Sequence, residues 1–204
     1  MSQGTPQPSG TTADGHRADA VRNRSAILDA AVDVLADDPS ASLADVARRA
    51  GLGRATLYRH FPSREALRDA IRQEALARAE TALAGARLDE VPARDGVRRA
   101  AEALVPLGVR FRVLLAEGAD ADPDFVAERD RALAPLLALV ARAVGEEAVD
   151  PSVDPGWAGM VLANLLVTAA RAAGAGLIDP AEAGELVSRT LFDGVGVANS
   201  WPDR

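Results

Sequence analysis

The chain has 204 residues, 48% of them hydrophobic but only 3% aromatic, a balance that suggests a core of Ala, Leu and Val and hence helices. It contains no cysteine, which excludes disulfides, thiolate metal sites and thiol catalysis. His16 and His60 are the only histidines and lie far apart in sequence, so neither a metal site nor a cofactor is expected.

The formal net charge is -7, which read globally argues against a nucleic-acid partner. Read by segment it does not. Residues 17–78 carry 11 Arg against 9 Asp or Glu, whereas residues 79–204 carry 12 Arg against 20 acids. Every basic residue is arginine, the side chain best shaped for bidentate contact with phosphate and guanine.

Residues 1–15 are polar, Gly/Pro-rich and aperiodic, and are expected to be a disordered tail. They hold no apolar run of the kind a signal peptide needs, so the expected location is cytoplasmic. Arg17, Arg22 and Arg24 follow, either as a solvated helix end or as an arm touching phosphate. Ile27, Leu28, Ala31, Val32 and Leu35 then form one helical face that ends near Asp37-Asp38-Pro39.

From Ser42 to Arg64 the spacing predicts two short helices joined by a tight turn. Leu43, Val46, Ala47 and Ala50 fall at i, i+3, i+4 and i+7, and Ser42 with Asp45 forms a capping-box pattern ahead of them. Gly51 suits the left-handed position that stops a helix. In the second helix Leu57, followed by Phe61, would pin the segment inward, leaving Arg54, Ala55, Thr56, Tyr58, Arg59 and His60 mostly outward. A basic, hydrogen-bonding face with small residues for close approach is what a helix needs to enter the DNA major groove.

The stretch AGLGRATLYRHFPSREAL resembles the DNA-binding signature of the tetracycline-repressor (TetR) family. The matching residues are Ala50-Gly51, Thr56-Leu57-Tyr58, His60-Phe61 and Ser63-Arg64-Glu65. The sequence departs from the pattern at Gly53, where the family usually has a capping serine, and at Ala55, where glycine is common. The resemblance implies an all-α fold of about nine helices. It would consist of a three-helix helix-turn-helix domain at 16–62 and a helical ligand-binding and dimerisation domain at 63–198. It also implies Arg54 and Arg59 as base-reading residues with Ala55 allowing approach, and Thr56, Tyr58, His60 and Arg64 on phosphates. Ser42 and Arg49 are further phosphate candidates. For His60 the alternative is a helix-end carbonyl contact, and for Tyr58 a half-buried packing role.

Beyond Arg64, a stripe of Leu67, Ala70, Ile71, Ala75 and Ala79 predicts a helix to about Leu83. GARLDEVPARDG reads as a loop, Val97 to Leu104 as the next helix, and Pro106 as its break before a helix through Phe111 and Leu114-Leu115. Asp122-Pro123, Asp154-Pro155 and Asp179-Pro180 each place a cap before proline at the first helical position. The segment after Pro155 is apolar nearly all round, which predicts burial on both faces. As a membrane span it is interrupted by Asn164, Thr168 and Arg171, and no membrane partner is expected. The last two helices resemble the family's dimerisation element, with small residues Ala158, Gly159, Ala169 and Ala173 permitting close approach of a second copy. Phe111, Phe125, Trp157, Met160, Asn164, Thr168 and Arg171 are the candidate lining of an effector pocket.

Together these readings imply a ligand-responsive transcriptional regulator. In the family's usual form this is a repressor that binds a palindromic operator as a homodimer and is released by a small molecule. The alternative is a helical protein-binding adaptor without DNA binding, which a buried or paired Arg54 face would favour. An enzyme is not expected, since no nucleophile and base stand together and Glu146-Glu147 and Asp120/Asp122 lack a partner constellation.

Overall fold

The computed structural model describes residues 23–35, 38, 40–108, 110 and 122–195. The N-terminal tail, Arg17, Arg22, the expected helix through Phe111 to Leu115 and everything past residue 195 lie outside the described residues. Every regular element described is helical: α1 (23–35), α2 (Leu43–Arg49), α3 (Arg54–His60), α4 (Arg64–Gly85), α5 (Ala93–Leu104), α6 (Pro123–Gly145), α7 (Pro155–Gly174) and α8 (Ala183–Val195). Short 3-10 turns occupy Leu88–Glu90, Val105–Leu107 and Pro180–Glu182. The chain divides into two compact units, Met1–Ile71 and Arg72–Arg204, with the division falling inside α4.

In the first unit the apolar faces read from the sequence meet. Ile27, Leu28, Ala31 and Val32 of α1, Leu43, Val46 and Ala47 of α2, Leu57 of α3, then Phe61 and Leu67 are all buried. Burying such side chains is worth about 1.5–3 kcal/mol each for the larger ones, and this holds together helices too short to be stable alone.

In the second unit α5 lies against α6 and, most extensively, α8, while α7 packs on α6 and α8. Two of these crossings rest on glycine. A Cβ on Gly184 would stand 2.9 Å from the Arg98 carbonyl oxygen, and one on Gly159 would stand 2.8 Å from Leu137 Cδ2. The small residues Ala158, Gly159 and Ala169 are therefore buried within their own chain, where they let α7 approach its neighbours.

On α8, where the sequence puts Ala183, Leu186, Val187, Thr190 and Leu191 on one stripe, part of the stripe packs within the chain, while Leu186 is half-buried and Thr190 exposed. Ala183, Val187 and Leu191 are 0–2% exposed, and Ser188 Oγ donates to the Arg94 carbonyl at 3.1 Å. Arg94 also stacks over Phe192, 4.7 Å from the ring centre. α7 differs from expectation in the opposite sense. It is long and apolar enough to cross a membrane, with a mean hydropathy of 1.2, yet only one face is buried, through Ala158, Leu162, Leu166, Ala169 and Ala170. Trp157 and Met160 on its other side are each 57% exposed.

All three Asp-Pro pairs start elements as predicted. Asp122 accepts from the Asp124 and Phe125 amides, Asp154 from that of Trp157 at 2.9 Å and Asp179 from that of Ala181 at 2.9 Å. The loop expected at residues 85–96 is shorter than its sequence suggests, because α5 already begins at Ala93. The Ala93 amide donates to Glu146 Oε2 at 2.7 Å, so a carboxylate from the end of α6 caps this helix. Arg142 holds the rest of the connection, donating to the carbonyls of Leu88 at 2.6 Å and Val91 at 3.0 Å.

Candidate DNA-binding surface

The surface begins with how α2 is started and stopped. The Ser42 amide donates to Asp45 Oδ2 at 2.9 Å, and the Asp45 amide donates back to Ser42 Oγ at 3.3 Å. The Ser42 hydroxyl also donates to that carboxylate at 2.6 Å. These bonds, the hydroxyl's first, hold the Asp45 carboxyl below the ordinary carboxylate range. Ser42 is thus occupied with its own helix.

At the other end Gly51 has φ +69°. The Leu52 amide donates to the Ala47 carbonyl at 2.9 Å and the Gly51 amide to that of Arg48 at 3.2 Å, the paired bonds of a Schellman turn. The turn redirects the chain into α3, whose first position is capped by Gly53 without a side-chain hydrogen bond. Gly53 contributes its carbonyl, which accepts from the Thr56 and Leu57 amides.

α3 gives one side chain, Leu57, to the core. Phe61, just past its end, gives another at 2% exposure. Arg54, Ala55, Tyr58 and Arg59 are exposed, and Thr56 and His60 are half-buried. Tyr58 is 49% exposed. Arg54 and Arg59 form no ion pair among the described residues. The outward set read from the sequence is therefore one continuous basic and hydrogen-bonding face.

The remaining candidates flank α3. Arg49 is exposed at the end of α2 and pairs with Asp33 of α1 at 3.2 Å. Arg64, at the start of α4, donates to the Ser40 carbonyl at 3.2 Å, which ties that helix to the loop before α2. The α4 start is capped by Ser63 Oγ, which accepts from the Ala66 amide at 3.1 Å. Glu65 bonds to backbone N–H and to Ser63 in the same turn and is held below the ordinary carboxylate range. Arg24 is exposed in the first turn of α1, with its guanidinium over the Phe61 ring, 4.8 Å from the centre, covering the residue that anchors the end of α3.

The effector candidates separate. Phe111 lies outside the described residues. Phe125 is 4% exposed, with Arg72 stacked 4.9 Å from its ring centre, so it is core. Trp157, Met160, Asn164, Thr168 and Arg171 all lie along the exposed side of α7. Asn164 Nδ2 donates to the Met160 carbonyl at 2.9 Å. A groove of about 470 Å³ lies elsewhere in this unit, between α4 and α6, over an apolar floor of Leu83, Leu88, Ala132 and Leu139. Glu80, Asp89 and Arg131 are on its walls. Its lining residues were not distinguished by sequence pattern, since they are helix-face leucines and alanines like those of any core. Among the described residues no group of three or more His, Asp or Glu side chains is placed to hold a metal ion.

A family profile described as "Bacterial regulatory proteins, tetR family" matches residues 27–71, the segment that builds α1 to the start of α4. The chain is 35% identical to the HTH-type transcriptional repressor LfrR of Mycolicibacterium smegmatis over 142 residues, 69% of this chain and 74% of that protein. The chain belongs to the TetR family. Its fold superposes on the crystal structure of LfrR from Mycobacterium smegmatis in complex with proflavine at a TM-score of 0.72 and 30% identity, covering 87% of this chain and 98% of that one. The TetR family regulator PfmR of Thermus thermophilus is 25% identical at a TM-score of 0.62, with 85% and 99% covered. This chain is accordingly a DNA-binding transcriptional regulator of that family, and the exposed Arg54 face speaks against the adaptor alternative.

Proposed function

We propose that this regulator is a repressor that binds a palindromic operator as a homodimer in the cytoplasm and leaves it when a small molecule binds. The observation that carries the DNA reading is the exposed Arg54/Arg59 face, without an ion pair among the described residues, on a helix fixed by a left-handed glycine turn. Residues 16–62 read DNA, with Arg54 and Arg59 on base edges and Ala55 leaving room for the groove wall. Thr56, Tyr58 and His60 hold phosphates, joined by Arg49 and Arg64 from the flanking helices. Residues 63–198 receive the signal and form the dimer.

The interface reading rests on α7 more than on α8. Trp157, Met160 and the neighbouring Leu137 are more than half exposed, whereas Ala183, Val187 and Leu191 of α8 are buried within their own chain and Leu186 is half-buried. A second copy laid along α7 would bury these side chains, and dimers reach specificity by reading two half-sites a helical turn or a multiple apart. For the effector, the complex of LfrR with proflavine makes that compound the first to titrate, and the α4–α6 groove is the place to perturb. A ligand acts by differing in affinity between the DNA-competent geometry and another.

The test is selection of an operator from random-sequence duplex, followed by fluorescence anisotropy over a salt series. Two protomers per site, steep weakening with salt and preference over scrambled duplex are expected. Failure to select any motif would refute the DNA reading. Release of the labelled operator by proflavine, blunted in Ala138→Trp, would place the effector in the groove. Equal release from both proteins would exclude the groove.

A further inference from the structure

The arginines of α2 and α3 differ in their partners. Arg54 and Arg59 on α3 stand exposed without a carboxylate partner among the described residues. The two arginines at the end of α2 are matched. Arg49 pairs with Asp33 at 3.2 Å, and Arg48 pairs with Asp45. Neither of these is a buried structural bridge: the Arg49 and Asp33 side chains are 61% and 56% exposed, and exposed pairs stabilise a fold little. Asp33 does not complete a cap either, because it sits on the last turns of α1 and reaches across to α2.

The first helix of a helix-turn-helix crosses the phosphate backbone, and Arg49 stands exposed on that helix here. A phosphate that takes Arg49 must take it from Asp33. The freed carboxylate then gathers a cation from solution, which cancels part of the cation release that drives binding. We propose that Asp33 is an internal competitor for phosphate at Arg49, setting the absolute strength of DNA binding without altering which sequence is preferred. The reasoning rests on Arg49 as a phosphate contact. Phosphate contacts carry no sequence information, so competition at one of them weakens operator and non-operator DNA by the same factor. The base-reading arginines, which have no such partner among the described residues, keep their full discrimination. Binding to the large excess of non-operator DNA is thereby held down while the ranking of sequences is preserved.

The experiment measures full-length wild type, Asp33→Asn, Arg49→Ala and the double variant by anisotropy. Each is titrated against a selected operator and a random-sequence duplex, from about 50 to 200 mM salt. Asp33→Asn is expected to tighten both duplexes equally, about two- to fivefold near 0.1 M salt, the scale of an exposed pair. It should also steepen the log–log salt slope by up to ~0.9, one full phosphate contact. In the Arg49→Ala background the same substitution should do nothing. Tightening that survives Arg49→Ala would mark a general charge effect, and weaker binding would mark Asp33 as an orienting group. A change on one duplex alone would mark a sequence-reading role, and each of these results overturns the proposal. Wild type that binds neither duplex would remove the DNA reading and this inference with it. Wild type that binds, beside an indistinguishable Asp33→Asn, removes the inference alone.

Discussion

Gly184→Ala tests whether the α5–α8 crossing is as close as described. The added methyl would meet Glu102 Cγ at 2.7 Å and the Arg98 carbonyl oxygen at 2.9 Å, against the ~3.5–4.0 Å at which non-bonded carbon atoms rest. Glu102 can swing aside, since its side chain is 42% exposed and its pair with Arg98 contributes little to stability. The Arg98 oxygen cannot, because it belongs to the α5 backbone, and relief requires the two helices to separate. Overpacking of this kind costs about 1–3 kcal/mol, while alanine's better helix propensity recovers at most ~1 kcal/mol. The expected net loss is about 1–2 kcal/mol, a fall in melting temperature of ~3–8 °C. Urea and thermal unfolding followed by circular dichroism would read it. Gly174→Ala, at a helical position with nothing within 4 Å of the new methyl, should be neutral or gain up to ~1 kcal/mol. A Gly184→Ala protein as stable as wild type would refute the close crossing.

Three further outcomes are expected. Arg54→Ala should relax sequence preference by the ~1–3 kcal/mol of one base contact, whereas Tyr58→Phe should weaken all duplexes alike; identical profiles from competition binding would contradict the assigned roles. Trp157→Glu combined with Met160→Glu should give a folded monomer by light scattering, and a persistent dimer would move the interface off α7. Asp45, with its carboxyl held low by Ser42, favours the folded state above its unfolded value near pH ~4 and loses that contribution as pH falls through its lower folded value. Asp45→Asn should therefore show a shallower acid limb in a stability–pH profile, and an unchanged limb would place the acid sensitivity elsewhere.

The first unit was legible because its signals are local. A Ser/Asp capping box, a glycine stop and a seven-residue helix with Leu57 inward each declare themselves within a few positions. The Asp-Pro starts of α6 and α7 and of the turn before α8 are equally short-range. What sequence missed came from far along the chain. The start of α5 depends on Glu146, 53 residues away, and the preceding connection depends on Arg142. The apolar positions of α8 recur at helical spacing, but periodicity says only that a face will be covered, not by what. Here α5 covers it, through Gly184 and Ser188. The choice of Trp157 and Met160 as pocket lining followed from their size and chemistry, whereas their direction is set by which side of α7 the alanines and Leu162 carry inward. Arg49 was found by its type, but its carboxylate partner sits on another helix, 16 positions earlier.

The recognition helix is held to its scaffold by main-chain bonds at Gly51 and Leu52 and by Leu57 alone among its seven side chains. The residues that choose an operator are therefore almost entirely distinct from those that keep the domain folded. On the roles proposed above, new operators can be acquired by changing positions 54, 55 and 59 while the rest of the chain stays as it is. The same division makes α3 a cassette: exchanging those three residues for a relative's should transplant target choice at little cost in folding.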